Sequence, residues 1–369
     1  MTDILTSSST GTARNCLRKY RLAYGYGIRR KQDAKPLIVG NAGHAILEAH
    51  ERLKTWARAN GGAFDDLPGK AITAGLTEYD HTRPTDPEKI YDWEIDRVTV
   101  AVLCAAYFWR WAEVDAGVEV IATELQFKIP LVNPESGRSS RTFDLAGKID
   151  NVIRQTASGR VGIRDHKFIG QDLAPESDYW RKLKIDQQMS IYFDAADHLG
   201  HRPDFIELDA IRKPTISPKG IPLTDEQGVK IVHDANGERV RTKDGKKWRE
   251  SGDSAAGYTL QTRPETPEEF GERLRQDIGE RPDFYFARRE FARLDAEREE
   301  AAFDLWQTGE IIRECTAKDR WPRNTGHCFG FGRCQFFNLC TGGFRPETDE
   351  LPEEFERVEN PHQELSLES

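Results

Sequence analysis

Asp150, Asp165 and Lys167 fall in the stretch 143–169, FDLAGKIDNVIRQTASGRVGIRDHKFI, and their types and spacing can do chemistry. Residues 145–153 and 161–168 are rich in β-branched and apolar side chains and flank the turn-prone Thr156-Ala157-Ser158-Gly159, the pattern of a β-hairpin. Asp150 and Asp165 are equally spaced from the middle of that turn. A symmetric register sets them opposite each other, with Cβ atoms about 4.5–5.5 Å apart. Carboxylates that close repel unless a cation sits between them. Lys167, two residues past Asp165, projects from the same face of its strand. Two oxygen donors for a hard divalent cation, with a lysine able to polarise water or a developing oxyanion, describe a hydrolytic site. A solvated surface hairpin would carry the same residue types, so the rest of the chain has to decide.

Stepping outward from the hairpin, residues 118–132 alternate and are expected to form a strand, with Glu124 facing either the aspartates or solvent. Residues 178–199 have the spacing of one amphipathic helix that packs Leu183, Met189 and Phe193 on the sheet. It sets Gln188 and Tyr192, four apart, on one face beside the strand of Lys167. Another strand is expected over 205–212. Upstream, 38–53 is helical with Ile46, Leu47 and Leu53 as its buried side and His44 near its start. His44, Glu48 and His50 invite comparison with H-E-x-x-H, but the order is wrong for a zinc protease. Residues 98–114 read as a buried helix with Cys104 a packed thiol, Thr266 caps a further helix, and a long charged helix is expected over 289–314. Strands alternating with helices give an α/β fold.

At 369 residues the chain can bury a large core, and 37% apolar with 31% charged residues is the balance of a soluble protein. MTDILTSSST has neither the basic start nor the apolar centre of a signal peptide, and residues 1–13 are expected to be disordered. The net charge of −9 is placed unevenly: residues 347–369 hold nine acids and one Arg, an expected disordered tail of −8. Residues 14–31, by contrast, carry seven Arg or Lys and no acid, interleaved with Tyr20, Tyr24 and Tyr26. That suits phosphate contacts with stacking rings, and Arg18, Lys19 and Tyr20 become candidate nucleic-acid contacts. Residues 212–249 hold ten basic and five acidic residues with few large apolar ones, so the segment 214–257 reads as a basic insertion or long hairpin.

Six cysteines without an export signal point to a reducing compartment and to metal rather than disulfides. Cys328, Cys334 and Cys340 are evenly spaced with aromatic residues between them. They need a fourth ligand for zinc or an iron–sulfur cluster, from Cys16, Cys315 or His327, and the wide spacing and apolar shell suit a cubane cluster better than zinc.

Taken in order, Cys16, the helix with Gly40 and His44, Gly147-x-x-Asp150, Asp165-x-Lys167, Gln188-x-x-x-Tyr192 and the cysteine trio resemble the RecB-like branch of the PD-(D/E)XK nuclease superfamily. The likeness is to its iron–sulfur members, which include AddB nuclease domains and the exonucleases of CRISPR adaptation, and it runs from Cys16 to Cys340. It implies a single nuclease domain over 14–346 with a restriction-endonuclease-like core: a central mixed β-sheet flanked by helices, the catalytic part in 118–213, and N- and C-terminal segments (14–60 and 315–346) joined at a cysteine cluster site. It implies a divalent metal, Mg²⁺ or Mn²⁺, held by His44, Asp150 and Asp165 with the backbone carbonyl of His166. Lys167 then assists the attacking water, Gln188 and Tyr192 support the site and the DNA, and Cys16 joins Cys328, Cys334 and Cys340 around a [4Fe–4S] cluster, with Zn²⁺ the alternative.

The activity implied is hydrolysis of DNA phosphodiester bonds, as an exonuclease on single-stranded ends. The competing class is a non-catalytic DNA-binding iron–sulfur or zinc subunit of a recombination or repair complex. With no G-x-x-x-x-G-K-[ST] in the sequence, a helicase or ATPase motor is expected to be a separate partner, and the protein is expected to be cytoplasmic with no membrane partner.

Overall fold

The computed structural model describes residues 3–31, 35–62, 66–330, 332–362 and 365. Its centre is a six-stranded mixed sheet built from β1 (Asp3–Leu5), β3 (Val118–Val132), β4 (Ser139–Gln155), β5 (Val161–Ile169), β6 (Phe205–Arg212) and β7 (Phe286–Phe291), while β2 (Ile28–Arg30) lies outside it. β3 and β6 keep the bounds expected from their apolar alternation. β5 runs parallel to β6, from Gly162↔Phe205 to Ile169↔Arg212, and β7 runs antiparallel to β6.

Helices cover both faces. On one side lie α1 (Ser7–Asn15), α4 (Gln187–His198) and α6 (Asp295–Lys318), whose Met189, Ile191, Leu305 and Ile312 pack on Ile149, Val152 and Ile163 of the sheet. On the other lie α2 (Lys35–Ala59), α3 (Pro87–Asp115) and α5 (Pro267–Glu280), with Ile46, Leu103, Phe270 and Leu274 against Ile211 and Phe286. Helix α3 starts where Asp86 accepts from the Glu88 N–H and Pro87 presets the first turn; α5 starts on the Thr266–Glu269 capping box. Cys104 is fully buried inside α3, as a packed thiol would be. The expected α/β core, a central mixed sheet flanked by helices, is therefore what the chain forms. Among the described residues no helix is long and apolar enough to cross a membrane.

Several segments differ from expectation. Residues 3–13 are ordered: β1 pairs in parallel with Phe143–Leu145, Leu5 is fully buried, and a Thr6–Ser9 capping box starts α1. Its Ser9, Thr10 and Ala13 are small enough to be buried against neighbouring helices, which is why a Ser/Thr-rich composition did not mean disorder here. Residues 1 and 2 lie outside the described residues.

The acidic tail is ordered through 362 as well. Strand β8 (Phe355–Arg357) pairs antiparallel with β2, and Phe355 is buried beside Leu22, Ile28 and Phe336. Two of its acids pair with the basic N-terminal segment, Glu356 with Arg29 and Glu347 with Arg21. Of the rest of the expected tail, residues 363, 364 and 366–369 lie outside the described residues.

The helix expected over 178–199 breaks in two, because Asp186 leaves the helix to cap Gln188 N–H. Strand β7 replaces the start of the long charged helix; its Arg288 is buried against Asp115 and Asp209, partners far away in sequence. The basic insertion folds into short strands, Gly220–Pro222 against Thr262–Pro264 and Val232–His233 against Thr259–Leu260, with Trp248 between Arg239 and Arg241.

Candidate active site

Strand β4 is shared. β3 runs along one of its edges, from Val118↔Gln155 to Val132↔Ser139. The other edge is divided between β1, at residues 143–145, and β5, at residues 151–154, so residues 146–150 have no strand partner on that edge. β4 and β5 keep the symmetric register through Asn151↔Arg164 and then splay apart, while β5 continues along β6. Asp150 and Asp165 are the next pair in that register and flank the opening. The hairpin therefore holds the two carboxylates at the mouth of a notch. Gly147 keeps the notch floor thin, since a Cβ there would fall 2.6 Å from the Phe127 ring.

Asp150 turns its carboxylate toward β5 and accepts the His166 N–H at 2.8 Å. From above, α2 delivers His44, whose Nδ1 is 3.6 Å from Asp150 Oδ2. The helix comes this close because Gly43 faces Phe168, where a Cβ would meet the ring at 2.1 Å. On the far side of Asp165, Lys167 Nζ donates to Asp165 Oδ1 and to Gln188 Oε1, both at 2.9 Å. Gln188 Nε2 donates in turn to Tyr192 Oη at 2.9 Å. The i, i+4 pair thus lies on the face predicted from its spacing and aims the lysine.

The electrostatics separate the groups. Burial pulls the His44 pKa down to about 4, outweighing the attraction of Asp150, so the imidazole is neutral and can act as a ligand. Burial alone would raise Asp150, but His44, the hydrogen bond with His166 and Lys167 hold its carboxyl well below the ordinary range. Asp165 is raised, by burial and then by Asp150, despite Lys167. Burial would lower Lys167, yet Asp165 and Asp150 raise it, so the lysine stays charged. A cation between the two carboxylates would relieve the repulsion by which Asp150 raises Asp165.

The two carboxylates are hard oxygen donors suited to Mg²⁺ or Mn²⁺, and the neutral imidazole adds a borderline nitrogen donor. Asp165 Oδ2 makes no hydrogen bond and only an ion pair with Lys167 Nζ at 2.7 Å, which leaves lone pairs for a cation. Among the described residues no three His, Cys, Asp or Glu side chains already converge at single-ion distances.

A cleft of about 670 Å³ opens onto the notch, lined by His44, Glu48, Glu124, Lys148 and Asp150. Glu124 stands opposite Asp150 in the β3–β4 register, at a left-handed φ of 53°, and pairs with Lys148. This places the strand acid on the cleft side. Burial raises its carboxyl pKa. Glu48 is one helical turn past His44 on α2; His50 pairs instead with Glu51 and stacks on Phe108.

Behind the notch lies a network that sequence reasoning missed. The His166 imidazole stands between Asp150 and Asp209, at 3.5 and 3.7 Å. Tyr107 Oη donates to Asp209 and lies 3.3 Å from His166 Nε2; Arg288 binds Asp209, Tyr107 and Asp115; and Arg164 binds Asp115 and Glu207. The one sequence signal was the alternation of β5, which sends Arg164 and His166 to the face opposite Asp165 and Lys167.

The remaining candidates lie apart from the notch. Arg18 and Lys19 border the cysteines, with Arg18 Nε on the Trp321 carbonyl at 3.1 Å, and Tyr20 is buried between Tyr24 and Trp321. Cys16, Cys328, Cys334 and Cys340 all line one cavity of about 210 Å³ walled by Leu22, Phe329, Phe336 and Phe337. Cys315 is instead packed in the core under α6, and His327 is exposed.

The family model of the PD-(D/E)XK nuclease superfamily matches residues 5–341. No curated protein sequence matches the chain.

Proposed function

The chain belongs to the PD-(D/E)XK nuclease superfamily, and from that premise we propose that it is a Mg²⁺- or Mn²⁺-dependent deoxyribonuclease of the RecB-like branch, acting on single-stranded DNA ends. The observation that carries this reading is the notch itself: Asp150 and Asp165 at the point where β4 and β5 part, with Lys167 held on Asp165 and Gln188.

His44, Asp150 and Asp165 would hold the metal, with the His166 carbonyl as a further ligand. Bound there, the metal would polarise the scissile phosphate and acidify a coordinated water. Lys167 keeps its proton in the buried site and supplies positive charge where charge builds on the phosphorus oxygens. Gln188 fixes the direction of that ammonium, and Tyr192 fixes Gln188. Asp150 is oriented from beneath by the His166 N–H, and the Tyr107–Asp209–Arg288 network braces the imidazole. Glu48 and Glu124 line the opposite wall beside Lys148, and their carboxylates favour a cation in the cleft.

The proposal extends to the cysteines. Four thiols around one apolar cavity support a [4Fe–4S] cluster that ties the start of the nuclease domain to its end, with Cys16 rather than Cys315 as the fourth ligand.

The deciding experiment is cleavage of end-labelled single- and double-stranded DNA by anaerobically purified protein in Mg²⁺ or Mn²⁺, beside Lys167→Ala. Release of nucleotides by the wild type and not by the variant supports the assignment, and the position of the label gives polarity. If both proteins bind DNA and neither cleaves it, the chain is a non-catalytic DNA-binding subunit.

A further inference from the structure

A second groove, about 780 Å³, adjoins the catalytic cleft and shares Tyr24 and Pro361 with it. We propose that this groove is the binding track for single-stranded nucleic acid, and that the C-terminal segment 347–362, whose Asn360, Pro361 and His362 wall it, competes for its cations as a nucleic-acid mimic until a strand displaces its acids. The inference rests on the nuclease reading of the neighbouring notch.

The groove combines an aromatic ring with a cation, as sequence-independent strand binding does: Tyr24 is half-buried at the surface of the groove, and Tyr20 and Trp321 are buried behind it. Tyr24, Tyr20 and Trp321 form a ladder, with ring centroids 5.5 Å apart between the tyrosines and 6.1 Å between Tyr20 and Trp321. Arg21 lies over the rings of Tyr26 and Trp321 at 5.2 and 5.9 Å. The helix Leu17–Tyr20 widens here into a π-helical turn, Arg21–Gly25, an irregularity often found at functional sites.

The C-terminal segment meets part of this surface, sharing Arg21 with Asp319, which binds it at 2.8 Å. Glu347 takes Arg21 at 2.8 Å and also binds the Tyr26 hydroxyl, and Glu356 takes Arg29 at 2.9 Å, as phosphates would. His362 stacks on Tyr24 at 5.2 Å and 29°, extending the ring ladder where a base would continue it. Val358 and Pro361 form part of the wall of the catalytic cleft beside Asp150 and His44. Residues 347–362 contain seven acids and one Arg, set against the seven Arg and Lys of 14–31.

The attachment is specific but shallow. The Val358 N–H donates to Gly27 O at 2.9 Å and the Lys31 N–H to Glu354 O at 3.0 Å, with three residue pairs between β8 and β2. Gly27 permits this approach, because a Cβ there would fall 2.2 Å from Val358 O, and its φ is +61°. Phe355 is the buried anchor, stacked on Phe336. The ion pairs on either side are open to water, with Glu347 51% and Glu356 37% exposed, so each holds weakly and is screened by salt. A polyanionic strand competes for the same arginines and so loosens the backbone bonds on either side of Phe355.

The test is binding of fluorescent oligothymidylate in EDTA, which reads the groove whether or not the notch cleaves. Glu347→Gln/Glu356→Gln keeps Phe355 and the fold, and is compared with wild type and with Glu272→Gln/Glu280→Gln, which removes two charges from α5. The groove variant is expected to bind about fivefold tighter at low salt, with the gap closing as salt rises, and the α5 variant to bind like wild type. In wild type, the oligonucleotide should speed amide exchange at Val358 and Lys31. Equal affinity for the groove variant and wild type, an equal gain in the α5 variant, or undiminished protection at Val358 in the bound complex would each overturn the proposal and make the segment a permanent part of the fold.

Discussion

The Asp150 carboxylate accepts the backbone N–H of His166 at 2.8 Å, although the residue opposite it in the hairpin register is Asp165. A side chain thus replaces the cross-strand backbone bond at the point where the ladder ends. That substitution holds the notch open and points one carboxylate oxygen toward His44.

Asp150→Asn is the sharpest test of this arrangement. The amide oxygen can still accept from His166 N–H, so the fold should survive with an unchanged melting temperature. The anionic donor is lost, and metal-dependent cleavage should fall by at least about a hundredfold. Wild-type cleavage in this variant would remove Asp150 from the site.

Lys167 and Gln188 should separate by degree. Lys167→Ala removes the charge and is expected to abolish cleavage, while Gln188→Ala removes only one of the two acceptors that aim it. Misdirecting the ammonium should cost roughly tenfold in kcat and leave oligonucleotide binding intact. A Gln188→Ala defect seen only in KM would mean that this side chain contacts the strand and does not position Lys167.

Asp115 provides a pH signature well away from the notch. Burial would raise its carboxyl, but Arg164 and Arg288 draw its pKa down from 3.8 to about 2. A carboxyl held lower in the folded state stabilises above its unfolded pKa, so this contribution is complete above about pH 4 and is lost as pH falls toward 2. Its size is on the order of 2 kcal/mol. Asp115→Asn should therefore lower stability at pH 7 and flatten acid unfolding between pH 4 and pH 2, followed by circular dichroism. A variant with the wild-type acid profile would show that the two arginines are satisfied without Asp115.

These residues also show what was legible in the sequence. Strand 118–132 announced itself by alternation, 205–212 was also legible as a strand, and the turn at 156–159 set the register that brings Asp150 to Asp165. The Gln188–Tyr192 pair followed from helical spacing alone. The parting of β4 and β5 did not, because it depends on β1 taking part of the same edge from far away in the chain. Strand β7 was hidden for a related reason: Arg288, Arg289 and Glu290 look like a solvated helix face until Asp115 and Asp209 arrive to bury Arg288. The acidic segment read as disordered because its counter-charges lie some 320 residues earlier, as the Glu347 hydrogen bonds to Arg21 and Tyr26 show.

The cysteines allow a prediction that contrasts two thiols of the same chain. Cys334 lines the cavity with Cys16, Cys328 and Cys340, whereas Cys315 is packed between α6 and the sheet, where burial raises its pKa. Cys334→Ser should strip visible absorption and iron from anaerobically purified protein and lower its melting temperature, since the cavity joins helix Leu17–Tyr20 to the segment after α6. Cys315→Ser should keep the colour and lose only packing, on the order of 1 kcal/mol. Zinc would leave both variants colourless and appear in metal analysis of the wild type and of Cys315→Ser but not of Cys334→Ser. Retention of colour in Cys334→Ser would remove Cys334 from the cluster, and loss of colour in Cys315→Ser would make that residue of α6 a ligand.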